Sequence, residues 1–137
     1  MTERDVDALI DDFLDHGPYA VVGASTNREK YGNKVLRAYL QSGRDAWPIN
    51  PRAEEIEGVK CYPDLASCPE PPRAISIITP PKITLDVVDA AADAGVEFVW
   101  MQPGAESPES IKRAQDRGLH VIADGSCLLV VVGYREV

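Results

Sequence analysis

Val6, Leu9, Ile10, Phe13 and Leu14 recur at intervals of three and four, which puts them on one face of a helix. Thr2 is the expected cap, Glu3 and Asp5 fall in the first turn, and Gly17-Pro18 stops the run. Residues 19–22 form a short apolar block that reads as a buried strand. Val35, Leu36, Tyr39 and Leu40 then mark a second amphipathic helix over about 32–42, with Gly43 as its stop. A second strand, 46–49, ends at Asn50-Pro51. Residues 58–62 read as a short extended piece and Leu65 as part of a short turn or helix. Prolines 69, 71 and 72 close that stretch. A third main strand, 74–78, leads through Thr79-Pro80-Pro81 into a helix over 82–94 that Gly95 ends. A fourth strand, 97–101, exits through Gln102-Pro103-Gly104, and Ser107-Pro108 opens a helix to Arg117. A fifth strand spans 119–123. The run 127–132 has no alternation and is either a sixth short strand or a buried tail.

Strands and helices alternate throughout, which predicts an α/β fold: a Rossmann-like three-layer sandwich around a mostly parallel five-stranded sheet. All 137 residues are expected in one domain, residues 1–17 forming an amino-terminal helix. In such a sheet ligands gather at the carboxyl ends of the strands, where strand order reverses. The loops to inspect are therefore 23–31, 50–55, 79–82, 102–106 and 124–126.

An apolar content of 45% excludes disorder. Net charge is −8, from 22 acidic and 14 basic residues, which argues against general nucleic-acid or anionic-membrane binding. A local basic cluster can still take an anionic small molecule. Cys61, Cys68 and Cys127 have no metal-type spacing and fit thiols in a reducing compartment. No charged-then-apolar leader opens the chain, and the longest apolar run is far too short to cross a bilayer. A cytoplasmic protein is expected.

The stretch YAVVGASTNREKYGNKV, residues 19–35, carries the chemistry. A strand runs into Gly23-Ala24-Ser25, then a basic loop, then Gly32 and a helix, which is how backbone N–H groups are aimed at a phosphate. The dinucleotide fingerprint is broken: Ser25 replaces its second glycine, and the second strand ends in Asn50-Pro51-Arg52 where a ribose-binding acid would stand. That charge pattern suits a phosphate on or near the ribose, as in NADP or another ribose phosphate. Ser25 and the N–H groups near Gly32 are candidate donors, and Arg28, Lys30 and Lys34 are candidate long-range charges. The bland alternative is that Gly23 and Gly32 serve only the turn. His16 and His120 are misplaced for catalysis, and neither a catalytic triad, a phosphate-loop lysine motif nor a metal-ligand set is present.

Several separated runs, GASTNREKYGNKV, NPRAEEIEG, ITPPK and WMQPGAESPE, resemble the small stand-alone CoA-binding domain family. That family is similar to the amino-terminal CoA-binding domain of the succinyl-CoA synthetase alpha subunit. The resemblance implies CoA as cofactor, held at the carboxyl edge. It places Gly23, Ala24, Ser25 and Gly32 at the phosphate region, with Arg28 and Lys30 beside it. Asn50, Pro51 and Arg52 fall beside the adenosine and its phosphate, and Thr79, Pro80 and Pro81 flank the ligand. Gln102, Pro103 and Gly104, with Ala105, lie where the pantetheine arm passes. The family segment near Asp124 and Cys127 commonly carries Arg-Cys, and this chain has Ser126-Cys127 there.

The leading reading is a binding module for CoA or acyl-CoA without chemistry of its own. A small NADP-dependent oxidoreductase and an interaction protein with a vestigial site are the alternatives. Oligomeric state stays open, as does Cys127, which is either a packing group or a thiol near that of CoA. On this reading a β-branched residue at Gly32 weakens CoA binding while the fold persists.

Overall fold

A computed structural model describes residues 5–136. Its elements in order are α1 (Val6–Asp15), β1 (Tyr19–Val22), α2 (Tyr31–Gln41), β2 (Ala46–Ile49), β3 (Glu55–Ile56), β4 (Val59–Lys60), a 3-10 turn (Leu65–Ser67), β5 (Ala74–Ile77), α3 (Pro81–Ala94), β6 (Phe98–Met101), α4 (Pro108–Asp116), β7 (His120–Ile122) and α5 (Leu128–Val131). Five strands form one wholly parallel sheet in the order β2-β1-β5-β6-β7, and β3 pairs with β4 as a small antiparallel hairpin. The expected α/β sandwich is therefore present. Strand order reverses between β1 and β5, so the loops after these two strands flank the crevice where parallel sheets bind ligands.

Side-chain alternation sends successive residues to opposite faces. Tyr19, Val21, Ala74, Phe98 and Trp100 pack with α1, α2 and α5. Ala20, Val22, Ile75, Ile77, Val99 and Met101 pack with α3 and α4. On the first face the Phe13 ring meets Trp100 edge-on at 5.2 Å. Arg73 fastens α1 there: it donates to the carbonyls of Asp12 and His16 at 2.9 Å and lies over the Phe98 ring at 4.7 Å.

Two expectations need correction. Asp5, expected inside the first turn, is the N-cap, its carboxylate accepting from the Asp7 N–H at 3.0 Å; Thr2 and Glu3 lie outside the described residues. The run 127–132 is neither strand nor wholly buried: it forms α5, in which Leu128 is buried while Val130 and Val131 are exposed. The expected extended piece over 58–62 is present: it holds β4, paired with β3 in a hairpin, and is tied to the main sheet by a bridge from Tyr62 to Ile49. Among the described residues no helix is long and apolar enough to cross a membrane.

Candidate functional site

The first βα loop is built on close backbone approach. Gly23 has φ 96°, and a Cβ there would run into the Ile78 carbonyl. A Cβ on Gly32 would overlap the Gly23 carbonyl oxygen. Gly32 thus lets α2 start directly against the end of β1, and Gly23 lets the same turn pass close to the exit of β5. A β-branched residue at 32 should therefore cost stability as well as ligand, because the obstructing atom is backbone.

Within the loop, Ser25 Oγ accepts from the Asn27 N–H and Asn27 Oδ1 from the Glu29 N–H, both at 3.0 Å. The N–H groups of Ala24, Ser25 and Thr26 donate to nothing among the described residues. Lys30 is the N-cap of α2 but supplies no side-chain cap, and Pro80 supplies none to α3. By contrast α1 and α4 are capped by Asp5 and Ser107. The two helices entered from the reversal point, β1 and β5, therefore keep free first-turn donors and a positive dipole end.

Residues that sequence reasoning passed over hold this loop from behind. Asn33 is fully buried; its Nδ2 donates to the Ser25 carbonyl at 2.8 Å and to Glu57 at 3.1 Å, while its Oδ1 accepts from Arg37 Nε at 2.7 Å. Arg37, 5% exposed, also donates to the Arg28 carbonyl at 2.7 Å. Glu57, at the hairpin turn with φ 52°, adds an ion pair to Arg28 at 3.4 Å. The available signal was a polar i, i+4 pair, Asn33 and Arg37, inside an apolar helical stripe.

The other expected positions divide into exposed and internal ones. Asn50 Nδ2 donates to the Ala24 carbonyl at 2.9 Å and its Oδ1 accepts from the Arg52 N–H at 2.8 Å, which couples the second loop to the first. Pro51 and Arg52 are exposed, and Arg52 has no ion pair among the described residues. Pro80, Pro81, Pro103, Gly104 and Lys30 are also exposed, while Thr79 is half-buried and bonded to Thr84 at 2.7 Å.

Ala24 is buried and offers only its backbone. Gln102 is fully buried and internally engaged: Oε1 accepts from Tyr31 Oη at 3.0 Å and from the Leu128 N–H at 2.9 Å. Cys127 Sγ lies 2.7 Å from the same Tyr31 hydroxyl, and burial raises the pKa of that phenol. The carboxyl-terminal segment is thereby pinned behind the 102–104 loop.

His16 pairs with Asp15 at 2.9 Å and His120 stacks on Phe98 at 4.8 Å, both outside the carboxyl edge. No metal-holding group occurs among the described residues. Burial pushes the Cys68 thiol up to about 11, with the Asp64 carboxylate adding to the shift. At pH 8 roughly one such thiol in a thousand is ionised, against about a quarter of unperturbed cysteines. Its alkylation by iodoacetamide at pH 8, followed by peptide mass, should run about 250-fold slower than that of a free-thiol peptide. A matching rate would contradict the assigned environment.

Residues 18–132 match the family described as CoA binding domain. The alpha subunit of the ADP-forming acetate–CoA ligase II of Pyrococcus furiosus is 29% identical over 92 residues, covering 66% of this chain and 20% of that protein. The chain thus spans about a fifth of the length of that curated relative. A conserved hypothetical protein from Pyrococcus furiosus has a solved structure at 39% identity and TM-score 0.78, covering 83% of this chain and 97% of its own. The dinucleotide-forming acetyl-coenzyme A synthetase 1 of Ca. Korarchaeum cryptofilum, solved with phosphate and ADP, is 32% identical at TM-score 0.73, covering 88% of this chain and 27% of that one.

Proposed function

We propose, from the premise that this chain belongs to the CoA binding domain family, that it holds CoA or an acyl-CoA along the carboxyl edge of the sheet, with the 23–30 loop on the pyrophosphate. The unit is a CoA-binding module without a reaction of its own, and residues 1–137 act as one domain. The ligase reaction belongs to the longer relatives. The observation that carries the loop assignment is the pair of uncapped helix starts, α2 and α3, on either side of the strand-order reversal, beside three free backbone N–H groups. A pyrophosphate satisfies such donors without any catalytic side chain.

Each remaining residue has a defined task on this reading. Ser25 Oγ still has its proton to donate to a phosphate oxygen, and Arg28 and Lys30 supply positive charge at the loop. Asn50 holds the second loop in register, so that Pro51 packs by the adenosine and Arg52 meets the 3′-phosphate. Thr79, Pro80 and Pro81 line the opposite wall. Pro103 and Gly104 border the pantetheine arm, and buried Gln102 fixes the shape of their loop.

Calorimetry tests the assignment. Arg52→Ala should lose about 10- to 100-fold in affinity for CoA, the range of one charge-assisted hydrogen bond, and little for dephospho-CoA. Equal losses for both ligands would move Arg52 off the 3′-phosphate. Tighter binding of NADP than of CoA by the parent protein would overturn the CoA reading itself.

A further inference from the structure

Beyond the carboxyl edge, we propose a second ligand site at the amino-terminal edge of the sheet, a cleft that takes a small monocarboxylate with an aromatic or branched apolar body. The cleft, about 750 Å³, lies at the amino ends of β1 and β2, among the end of α1, the end of α2 and β4. Four-residue strands separate it from the carboxyl edge by about 13 Å. Its volume is in the range of small-molecule sites.

Its apolar wall comes from Leu14, Pro18, Leu40, Trp47 and Val59. Two polar groups are left over inside. Tyr19, 3% exposed, lines the cleft, and its buried hydroxyl has no hydrogen-bond partner. Arg44 is the second. Its Nε and Nη2 both donate to the Leu14 carbonyl, at 3.4 and 3.2 Å, which fixes the guanidinium plane beside the Tyr19 phenol. Burial raises the Tyr19 pKa and the Arg44 guanidinium opposes that rise, as expected of neighbours.

The absence of an ion pair on Arg44 carries weight in a chain of net charge −8. Arg28, Arg37, Arg73, Arg113 and Arg117 all pair with carboxylates, and Arg52 and Arg135, which do not among the described residues, are exposed. Arg44 is half-buried yet pairs with none among the described residues. The acids at this end stand at the rim: Asp15 is bonded to His16, and Asp45 is exposed. A planar guanidinium with no carboxylate partner, beside a phenol without a close hydrogen bond, selects a carboxylate over a neutral or cationic group. Trp47 and its neighbours select an apolar body on that carboxylate.

The test follows ¹⁵N-labelled full-length protein by NMR during titration with phenylacetate, 3-phenylpropionate, phenylacetamide and phenethylamine. Either acid should shift the Trp47 indole N–H and the Tyr19 and Arg44 amides saturably. The amide should bind at least about 10-fold more weakly and the amine not at all. Arg44→Gln should remove acid binding, and Val59→Trp should remove it by filling the cleft with Arg44 intact. Both variants should keep the parent affinity for CoA. Lack of saturation with either acid, equal binding of acid and amide, or parent-like acid binding in a folded variant would each overturn the site. If Arg44→Gln does not fold, Val59→Trp decides. CoA titration of the parent protein reads the other edge separately.

Discussion

Gly32→Val is expected to lower the stability of the protein by about 3 kcal/mol and its CoA affinity by tenfold or more, the cost of overpacking against immobile atoms and of losing at least one phosphate donor. The clash is with the Gly23 carbonyl oxygen, so it cannot be relieved by rotating a side chain. Either the start of α2 lifts from the end of β1 or the loop opens, and both dismantle the same run of N–H groups. Gly43→Ala is the natural comparison. That residue has φ 77° but open space around its would-be Cβ, so only the left-handed backbone penalty of about 1–2 kcal/mol applies, with no loss of CoA. Urea unfolding and calorimetry on the two variants separate steric from conformational cost. A Gly32→Val protein as stable as Gly43→Ala, with parent affinity for CoA, would refute the close-packed loop.

Asn33→Ala should cost about 2–3 kcal/mol, because truncation strands a buried charged hydrogen-bond donor and a backbone carbonyl together. Arg37 loses the acceptor for its Nε, the Ser25 carbonyl loses its donor, and Glu57 loses one of its two contacts to the loop region. The 25–28 segment is then held by fewer bonds, and CoA affinity should fall by about tenfold through lost pre-organisation. A double-mutant cycle with Glu57→Gln tests the linkage: the two losses should be strongly non-additive, since both variants break the same junction. Additive losses would mean that Asn33 acts through Arg37 and the Ser25 carbonyl, independently of Glu57.

The strands were legible because a fully buried parallel strand is a short apolar block whatever its neighbours, and Ala46–Ile49 starts and stops where its sequence does. The segment after Ser126 was not. Six apolar residues in a row carry no period, and what sets them as a helix is tertiary: the Leu128 N–H on Gln102 and the contact of Cys127 Sγ with the Tyr31 hydroxyl. Loop positions at the site were readable as positions, not as orientations. Gln102 stands in a Gln-Pro-Gly exit loop that reads as exposed, and only partners 26 and 71 residues away turn it inward. Asn33 and Arg37 fell silent for the same reason: a helical period tells which face is buried, and nothing about a carbonyl presented to that face by a distant loop.

Glu57 sets stability and site architecture against each other at one position. Its backbone sits in the left-handed region, where a glycine would be more comfortable, and Gly58 follows it there. Glycine at 57 would relax the hairpin turn but would remove the carboxylate that joins Arg28 to Asn33. Sequence optimisation for a more heat-resistant hairpin would therefore favour the change that unfastens the 23–30 loop. A consensus drawn from turn statistics alone would make the same error. The strain at this turn comes with the carboxylate that latches the 23–30 loop, so thermostabilising designs on this scaffold should leave it in place.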